Sequence, residues 1–382
     1  MRGVFRPSHY TVPMRPALIL LAFLAASSSH AQFTLQTSNT TADLRGIHNV
    51  GNGVAWASGT NGTVLRTEDG GYVWQSCSMP PDAEKLDFRG IESFNANTAI
   101  VMSSGPGDQS RLYRTTDGCH TWKLVFTNPD ETGFFDSVHF APDGKLYVLG
   151  DPVKNAFALF LSDDYGDTWF AAGDKGRDAH ANEGAFAASN SSFTSYGPFL
   201  LFGAGGSEHA HAYWTSTRCS PPPGHPNGPA LSDCGVVWNS SEVPVASGTP
   251  ASGIFSLAAK ATTTKSGAPT ATVIAVGGVY DHPDLGTQIA AFSVDGGQHW
   301  TAAITPPHGY RSAVAYDPAT KTWITVGPNG TDISTDDGKN WHALHPDPAL
   351  HDPPDADRNW NALSLPFVVG PHGRIGRLDE RH

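Results

Sequence analysis

TEDGGYVW (Thr67–Trp74) returns four more times along the chain, as TTDGCHTW (Thr115–Trp122), SDDYGDTW (Ser162–Trp169), SVDGGQHW (Ser293–Trp300) and STDDGKNW (Ser334–Trp341). Each copy reads Ser/Thr, any residue, Asp, any residue, Gly or a substitute, two residues, then Trp. This is the chemistry of a tight turn between two strands. The carboxylates of Asp69, Asp117, Asp164, Asp295 and Asp336 can accept hydrogen bonds from backbone N–H groups two or three residues on, and Gly supplies positive φ. Trp74, Trp122, Trp169, Trp300 and Trp341 open the next strand and can pack beneath the turn. The acids therefore read as turn staples, not as catalysts.

Around each turn the same four strand signals recur, bounded by Gly, Pro, Asn and Asp. The first unit holds DLRGIHNV (Asp43–Val50), VAWASG (Val54–Gly59), TVLRT (Thr63–Thr67) and a strand opening at VWQSC. Later units begin at FRGIESF (from Phe88), GFFDSVHF (from Gly133), EGAFAAS (from Glu183), SGIFSLAA (from Ser252), GYRSAVAY (from Gly309) and RNWNALS (from Arg358). In the fourth unit the turn is interrupted. Cys219 and Cys234 bracket a Pro-rich insertion, and Trp238 stands where the motif's Trp belongs. ATTTKSGAPTA (Ala261–Ala271) reads as an exposed loop between the first two strands of the fifth unit. The seventh unit lacks its fourth strand, and FTLQTS (Phe33–Ser38) precedes the first. A closed ring removes exposed sheet edges. The expectation is an all-β, seven-bladed propeller spanning 32–382 as one domain, closed by the N-terminal strand.

Residues Ala17–Ala26 form a short apolar run behind Arg15, with a small-x-small cleavage site at Ser29–Ala31. Residues 1–31 thus read as a secretory signal peptide, and no later stretch is apolar enough to span a bilayer. The product is expected in a periplasm or outside the cell. The whole chain carries 24 basic and 36 acidic side chains. Removing 1–31 takes away Arg2, Arg6 and Arg15 and no acid, which leaves 21 against 36, or −15. That balance argues against nucleic acid and anionic membranes as partners. Four cysteines in an exported chain suggest two disulfides. Cys219–Cys234 would clip the insertion at its neck, a gain of about 3 kcal/mol for a loop of that length, leaving Cys77–Cys119. The sequence leaves oligomeric state open.

In a propeller the first strand of each blade lines the central channel. Two sets of connections, fourth-to-first strand and second-to-third, share one face. The repeated turns lie on the other. The channel mouth is therefore expected to gather Arg45, Arg89, Phe135, Asp136, Glu183, Tyr310, Arg311 and Trp360, with Asp151 and Asp281 on the second-to-third loops. Arginine suits carboxylate recognition, and aromatics suit apolar or sugar faces. Asp136 and Glu183, with Tyr310, form the one candidate acid/base set. His209 and His211 share a strand face but read as an exposed loop end, and cysteine spacing offers no zinc site. Neither a cofactor nor a metal is called for, since no phosphate loop, dinucleotide fingerprint or nucleophile elbow is present.

Units such as GVAWASGTNGTVLRTEDGGYVWQ (Gly53–Gln75), together with MSSGPGDQSRLYRTTDGCHTW, GFFDSVHF, EGAFAAS, GIFSLAA and GYRSAVAY, resemble the photosystem II stability/assembly factor family and its bacterial relatives. These are exported propellers built on neuraminidase-type Asp-box repeats. The resemblance covers nearly the whole chain after residue 31. It implies a non-catalytic assembly scaffold that binds a protein client through an arginine patch, which Arg45, Arg89 and Arg311 would supply. The same boxes occur in sialidases and xyloglucan-cleaving enzymes, which implies the rival reading, a glycoside hydrolase acting on an extracellular glycan. The arginine-isoleucine-proline signature of sialidases is absent, since Arg45 and Arg89 are each followed by Gly-Ile.

Overall fold

The structure, a computed structural model, describes residues 32–173, 175–220, 233–348 and 352–379, with Met1 and Gly3. The signal-peptide reading falls on residues outside this set. Seven four-stranded antiparallel sheets follow one another. Blade 1 comprises Leu44–Gly51, Val54–Gly59, Val64–Thr67 and Gln75–Ser76; blade 2 comprises Phe88–Ser93, Ala99–Ser103, Arg111–Thr115 and Lys123–Thr127. Blade 3 is Phe135–Phe140, Leu146–Val153, Ala156–Ser162 and Phe170–Ala171; blade 4 is Phe193–Tyr196, Phe199–Ala204, Ala210–Ser220 and Asp233–Val243. Blade 5 is Ser252–Thr263, Pro269–Val279, Ala290–Ser293 and Thr301–Ala302; blade 6 is Ala313–Asp317, Thr322–Gly327, Gly330–Ser334 and His342–Leu344. We call the strands of each blade A to D in that order.

Blade 7 closes the ring as expected. Ala362–Ser364, Phe367–Val369 and Ile375–Asp379 supply strands A to C, and the N-terminal Gln32–Gln36 pairs with the last of them from Gln32↔Asp379 to Gln36↔Ile375. The core lies between blades. Seven buried clusters each draw on two neighbouring blades. The one holding Leu44, Ile47, Leu65 and Trp74 with Ala362, Phe367 and Ile375 joins blade 1 to blade 7. Phe33 is 2 % exposed and packs with Trp360, Val368 and blade 6. Burial of such a side chain is worth about 2–3 kcal/mol.

The five repeated turns share one hydrogen-bond scheme. The Ser or Thr hydroxyl donates to the Asp carboxylate and accepts the N–H four residues on, as Thr67 does with Asp69 and Gly71. The carboxylate accepts the N–H four residues on in every copy, at Val73, Thr121, Thr168, His299 and Asn340. The expected reach of three residues is also present in two copies, from the Asp167 and Gln298 N–H groups, so the four-residue bond is added to it. The fifth position has positive φ throughout, and Cys119 takes it at +66° where the other copies have Gly. Cys119 is bonded to Cys77, so the disulfide ties the end of blade 1 to the turn of blade 2. The Trp169, Trp300 and Trp341 indoles donate to the carbonyl of their own turn's Gly.

Three expectations are corrected. EGAFAAS is not strand A of blade 4. That strand is Phe193–Tyr196, and the preceding segment runs irregularly across the channel. Ser189 Oγ donates to the Ser312 carbonyl, and Asn190 accepts the Val138 N–H. ATTTKSGAPTA is not a loop throughout: its β-branched residues extend strands A and B of blade 5 into a ribbon, Ala261↔Ala271 to Thr263↔Pro269, closed by a short turn. In blade 4, strands C and D continue outwards until Cys219 stands opposite Cys234 in register. Their side chains, and the insertion beyond them, lie outside the described residues. Trp238 lies within strand D, opposite Thr215, rather than at its start.

Candidate functional site

Strand A of four blades carries a β-bulge at the same place. The pairing skips Arg45 in blade 1, Arg89 in blade 2, Asp136 in blade 3 and Phe255 in blade 5. A bulged residue is freed from the ladder and its side chain is re-aimed. All four line one cavity of about 550 Å³, with Phe134, Asp151, Phe186, Tyr280, Tyr310, Ser312, Pro328 and Asn361. This is the face made by the D–A and B–C connections, as expected. The sequence reading missed Phe255, Phe186 and Asp87. The Phe255 signal is its place one residue after an Ile that aligns with Leu44 and Phe88.

One residue before each bulge the side chain points into the blade. Phe135 is fully buried there, and so is Trp360 at the matching place before strand A of blade 7, although an edge of Trp360 reaches the cavity wall. Arg311 takes the same register. A Cβ on Gly327 would strike the Tyr310 carbonyl, as one on Gly59 would strike that of Asp43. Tyr310 thus matches Asp43, and Arg311 matches Leu44. Arg311 is fully buried, paired with Asp332 and bonded to Asn329 Oδ1 at 2.6 Å. Phe135 and Arg311 therefore leave the mouth, because alternation on a strand makes a one-residue shift a change of face.

Arg45 and Arg89 share one acid. Asp87 Oδ1 lies 3.2 Å from Arg45 Nε, and its Oδ2 lies 2.8 Å from Arg89 Nε. Two guanidinium groups on one carboxylate leave net positive charge, and both arginines are 29 % exposed. Asp136 stands beside them, buried, with one carboxylate oxygen unpartnered among the described residues. Burial and the nearby Asp151 push its carboxyl well above the usual range, and Arg89 opposes them only in part. Asp151 is raised by burial too, though it accepts the Ala185 N–H at 3.0 Å. Tyr310 is buried, its phenol raised by desolvation, and its ring meets Phe255 edge-on.

Other expected members stand elsewhere. Glu183 is not in the cavity wall. Its carboxylate accepts from Tyr213 Oη at 2.6 Å, from the His180 N–H at 2.9 Å and from His211 Nδ1 at 2.8 Å. It and Asp136 therefore do not flank one cavity. Asp281 is exposed and pairs with His282. His209 is half exposed against Glu242, but His211 is drawn in towards Glu183 instead of ending a loop.

The other end of the channel holds a second cavity, about 580 Å³, with His48, Glu92 and His139 in its wall. These occupy one register position of three successive A strands, three residues beyond Arg45, Arg89 and Asp136. Glu92 Oε2 lies 3.5 Å from His48 Nε2, and burial raises the Glu92 carboxyl. Burial and the neighbouring His48 lower His139 to about 4.

No family model and no curated protein matches this chain. Solved structures do. One described as "YCF48 bound to D1 peptide" matches with TM-score 0.55 and 16 % identity, covering 92 % of this chain and 97 % of that one. Another, "YCF48 from Cyanidioschyzon merolae", matches with TM-score 0.49 and 19 % identity over 91 % and 99 %. The first likeness shows that the fold is shared. Among the described residues no helix is long and apolar enough to cross a membrane.

Proposed function

We propose that the chain is an exported, non-catalytic binding or assembly scaffold whose client is a protein segment docked on the arginine face. The observation that carries this reading is the set of bulges that turns Arg45, Arg89, Asp136 and Phe255 into one cavity. Two arginines held by a single acid suit a carboxylate, from an acidic side chain or a chain terminus. The Asp136 carboxyl, raised by burial and Asp151, offers in its protonated form an O–H donor suited to a peptide carbonyl, and Phe186, Phe255 and Tyr280 offer an apolar wall. The peptide named with the first structural neighbour supports a client of this type. The glycosidase reading loses Glu183, whose oxygens are already engaged.

The test is capture of clients from the native envelope fraction by the wild-type chain and by an Arg45→Glu/Arg89→Glu variant. Loss of a reproducible partner in the variant, with unchanged circular dichroism, is expected. Equal capture by both proteins removes the arginine face as the docking surface. Turnover of any member of a glycan panel, abolished by Asp136→Asn, would replace this function with hydrolysis. Cell fractionation checks the exported location.

A further inference from the structure

His180, Glu183 and His211 converge where the D–A connection before blade 4 meets the first turn of that blade's strand C. One ligand atom from each lies within 4.8 Å of the other two. We propose that these three side chains bind a divalent transition-metal ion of the zinc, nickel, copper or cobalt class. The proposal rests on this trio alone and is independent of the client-binding role.

The carboxylate is already set in place. Glu183 is buried, and Tyr213 Oη and the His180 N–H fix its Oε2 at 2.6 and 2.9 Å. Its Oε1 stands 2.8 Å from His211 Nδ1. Two ligand atoms held about 2.1 Å from one metal are themselves about 3.0 Å apart in octahedral and about 3.4 Å apart in tetrahedral coordination. The Glu183–His211 pair, at 2.8 Å, needs to open by only about 0.2–0.6 Å to reach the span that a metal requires, and the ion would sit to one side of the line joining the two atoms. On binding, the His211 ring takes its Nε2–H tautomer, so that Nδ1 turns from donor to Glu183 into a lone-pair ligand to the metal. The third ligand has room to complete the set. His180 is exposed, and its ring lies face to face with that of His211, centroids 3.9 Å apart and planes 14° from parallel. Rotation of its side chain brings a ring nitrogen towards the pair, and water fills the remaining positions.

Two imidazoles and one carboxylate select borderline ions over calcium and magnesium, which prefer all-oxygen shells. The similar-looking group at the other channel mouth does not qualify. There His48 Nδ1 accepts the Ser93 N–H at 2.9 Å, so its Nε2 carries the proton and points it at Glu92. In the His180 trio His211 Nδ1 faces only a carboxylate.

Cobalt(II) titration of the untagged, chelator-washed chain, followed by visible absorption, tests the site. A saturable spectrum at one equivalent, displaced by zinc but not by calcium or magnesium, is expected. His211→Ala and His180→Ala should each weaken binding by at least about tenfold. His180→Ala removes an exposed ring and leaves the fold intact by circular dichroism, so its result stands even if Glu183→Gln unfolds the chain. His209→Ala should bind as the wild type does, because His209 pairs with Glu242 outside the trio. The proposal falls if no spectrum develops, if the spectrum persists in His180→Ala, or if His209→Ala loses it equally.

Discussion

Asp136 and the acids of the repeated turns respond to pH in opposite directions, and the difference separates their roles. Asp117 and Asp164 accept backbone and hydroxyl hydrogen bonds that favour the charged form. The Thr121 hydroxyl leads for Asp117; for Asp164 burial is the largest single cause and raises the carboxyl, but the Thr168 hydroxyl and N–H, the Ser162 hydroxyl and the Asp167 N–H together outweigh it, so both are lowered to about 2. A carboxyl lowered in the folded state contributes stability that is complete above its unfolded value of 3.8 and is lost as pH falls towards 2. Urea midpoints should therefore fall over that window, and Asp164→Asn should flatten the fall. Midpoints indifferent to acid would mean that the turns do not depend on their carboxylates. Asp136 is raised by burial and by Asp151, so the unfolded chain releases that proton first and stability declines as pH rises above 3.8. Asp136→Asn removes the ionisation and should raise the melting temperature at pH 7 while weakening client capture. A residue whose replacement stabilises the fold and impairs binding is retained for binding; a lower melting temperature would make Asp136 structural instead.

At the scale of the strand, one residue of register decides what an arginine does. Arg45 and Arg89 are bulged into the cavity, whereas Arg311 occupies the core-facing place and neutralises Asp332. Arg311→Ala leaves a buried carboxylate against only the half-exposed His308 and should cost about 3–5 kcal/mol. Arg45→Ala breaks a partly exposed pair and should cost no more than about 1 kcal/mol. Urea unfolding of the two variants checks the contrast, and equal losses would mean that the register assignment is wrong. The same residue of register explains what was legible beforehand. The five turns could be read because each carries its own chemistry within eight residues, and they led to the blade order, the face and Arg45, Arg89, Asp136 and Asp151. A bulge has no comparable local signature. Arg-Gly-Ile after a strand start looks like Tyr-Arg-Ser until the partner strand shows which residue is skipped. The channel-crossing segment was hidden for a related reason: EGAFAAS has the apolar character of a strand, but its partners are single residues, Gly205 for Gly184, Asp151 for Ala185, Arg89 for Ala187 and Ser312 for Ser189. The convergence of His180, Glu183 and His211 was not legible, because the two histidines stand 31 positions apart along the chain and only folding brings them to one place.

At the scale of the molecule, the ring has a seam and, among the described residues, a covalent staple, and they should fail differently. The seam is the pairing of Gln32–Gln36 with Ile375–Asp379, anchored by Phe33 in the blade 6–7 core and by Gln36, whose Oε1 accepts the Trp74 indole N–H at 2.9 Å. These two residues bind the first strand to both neighbours of the closing interface. Phe33→Ala removes a fully packed ring and should cost about 3 kcal/mol. Because every blade rests on the two beside it, that loss should open blade 7 first, with proteolytic cuts near residues 364–379 preceding global unfolding. The Cys77–Cys119 bond lies away from the seam, between blades 1 and 2, and closes a loop of 42 residues. Its constraint on the unfolded chain amounts to about 4 kcal/mol in the loop-entropy account. Reduction should therefore lower the melting temperature of the whole ring without creating an early cut in blade 7. Proteolysis with and without reductant, in the wild type and in Phe33→Ala, distinguishes the two. If reduction alone releases the blade 7 fragment, closure is held from the disulfide side and the N-terminal strand is only an ornament of the last sheet.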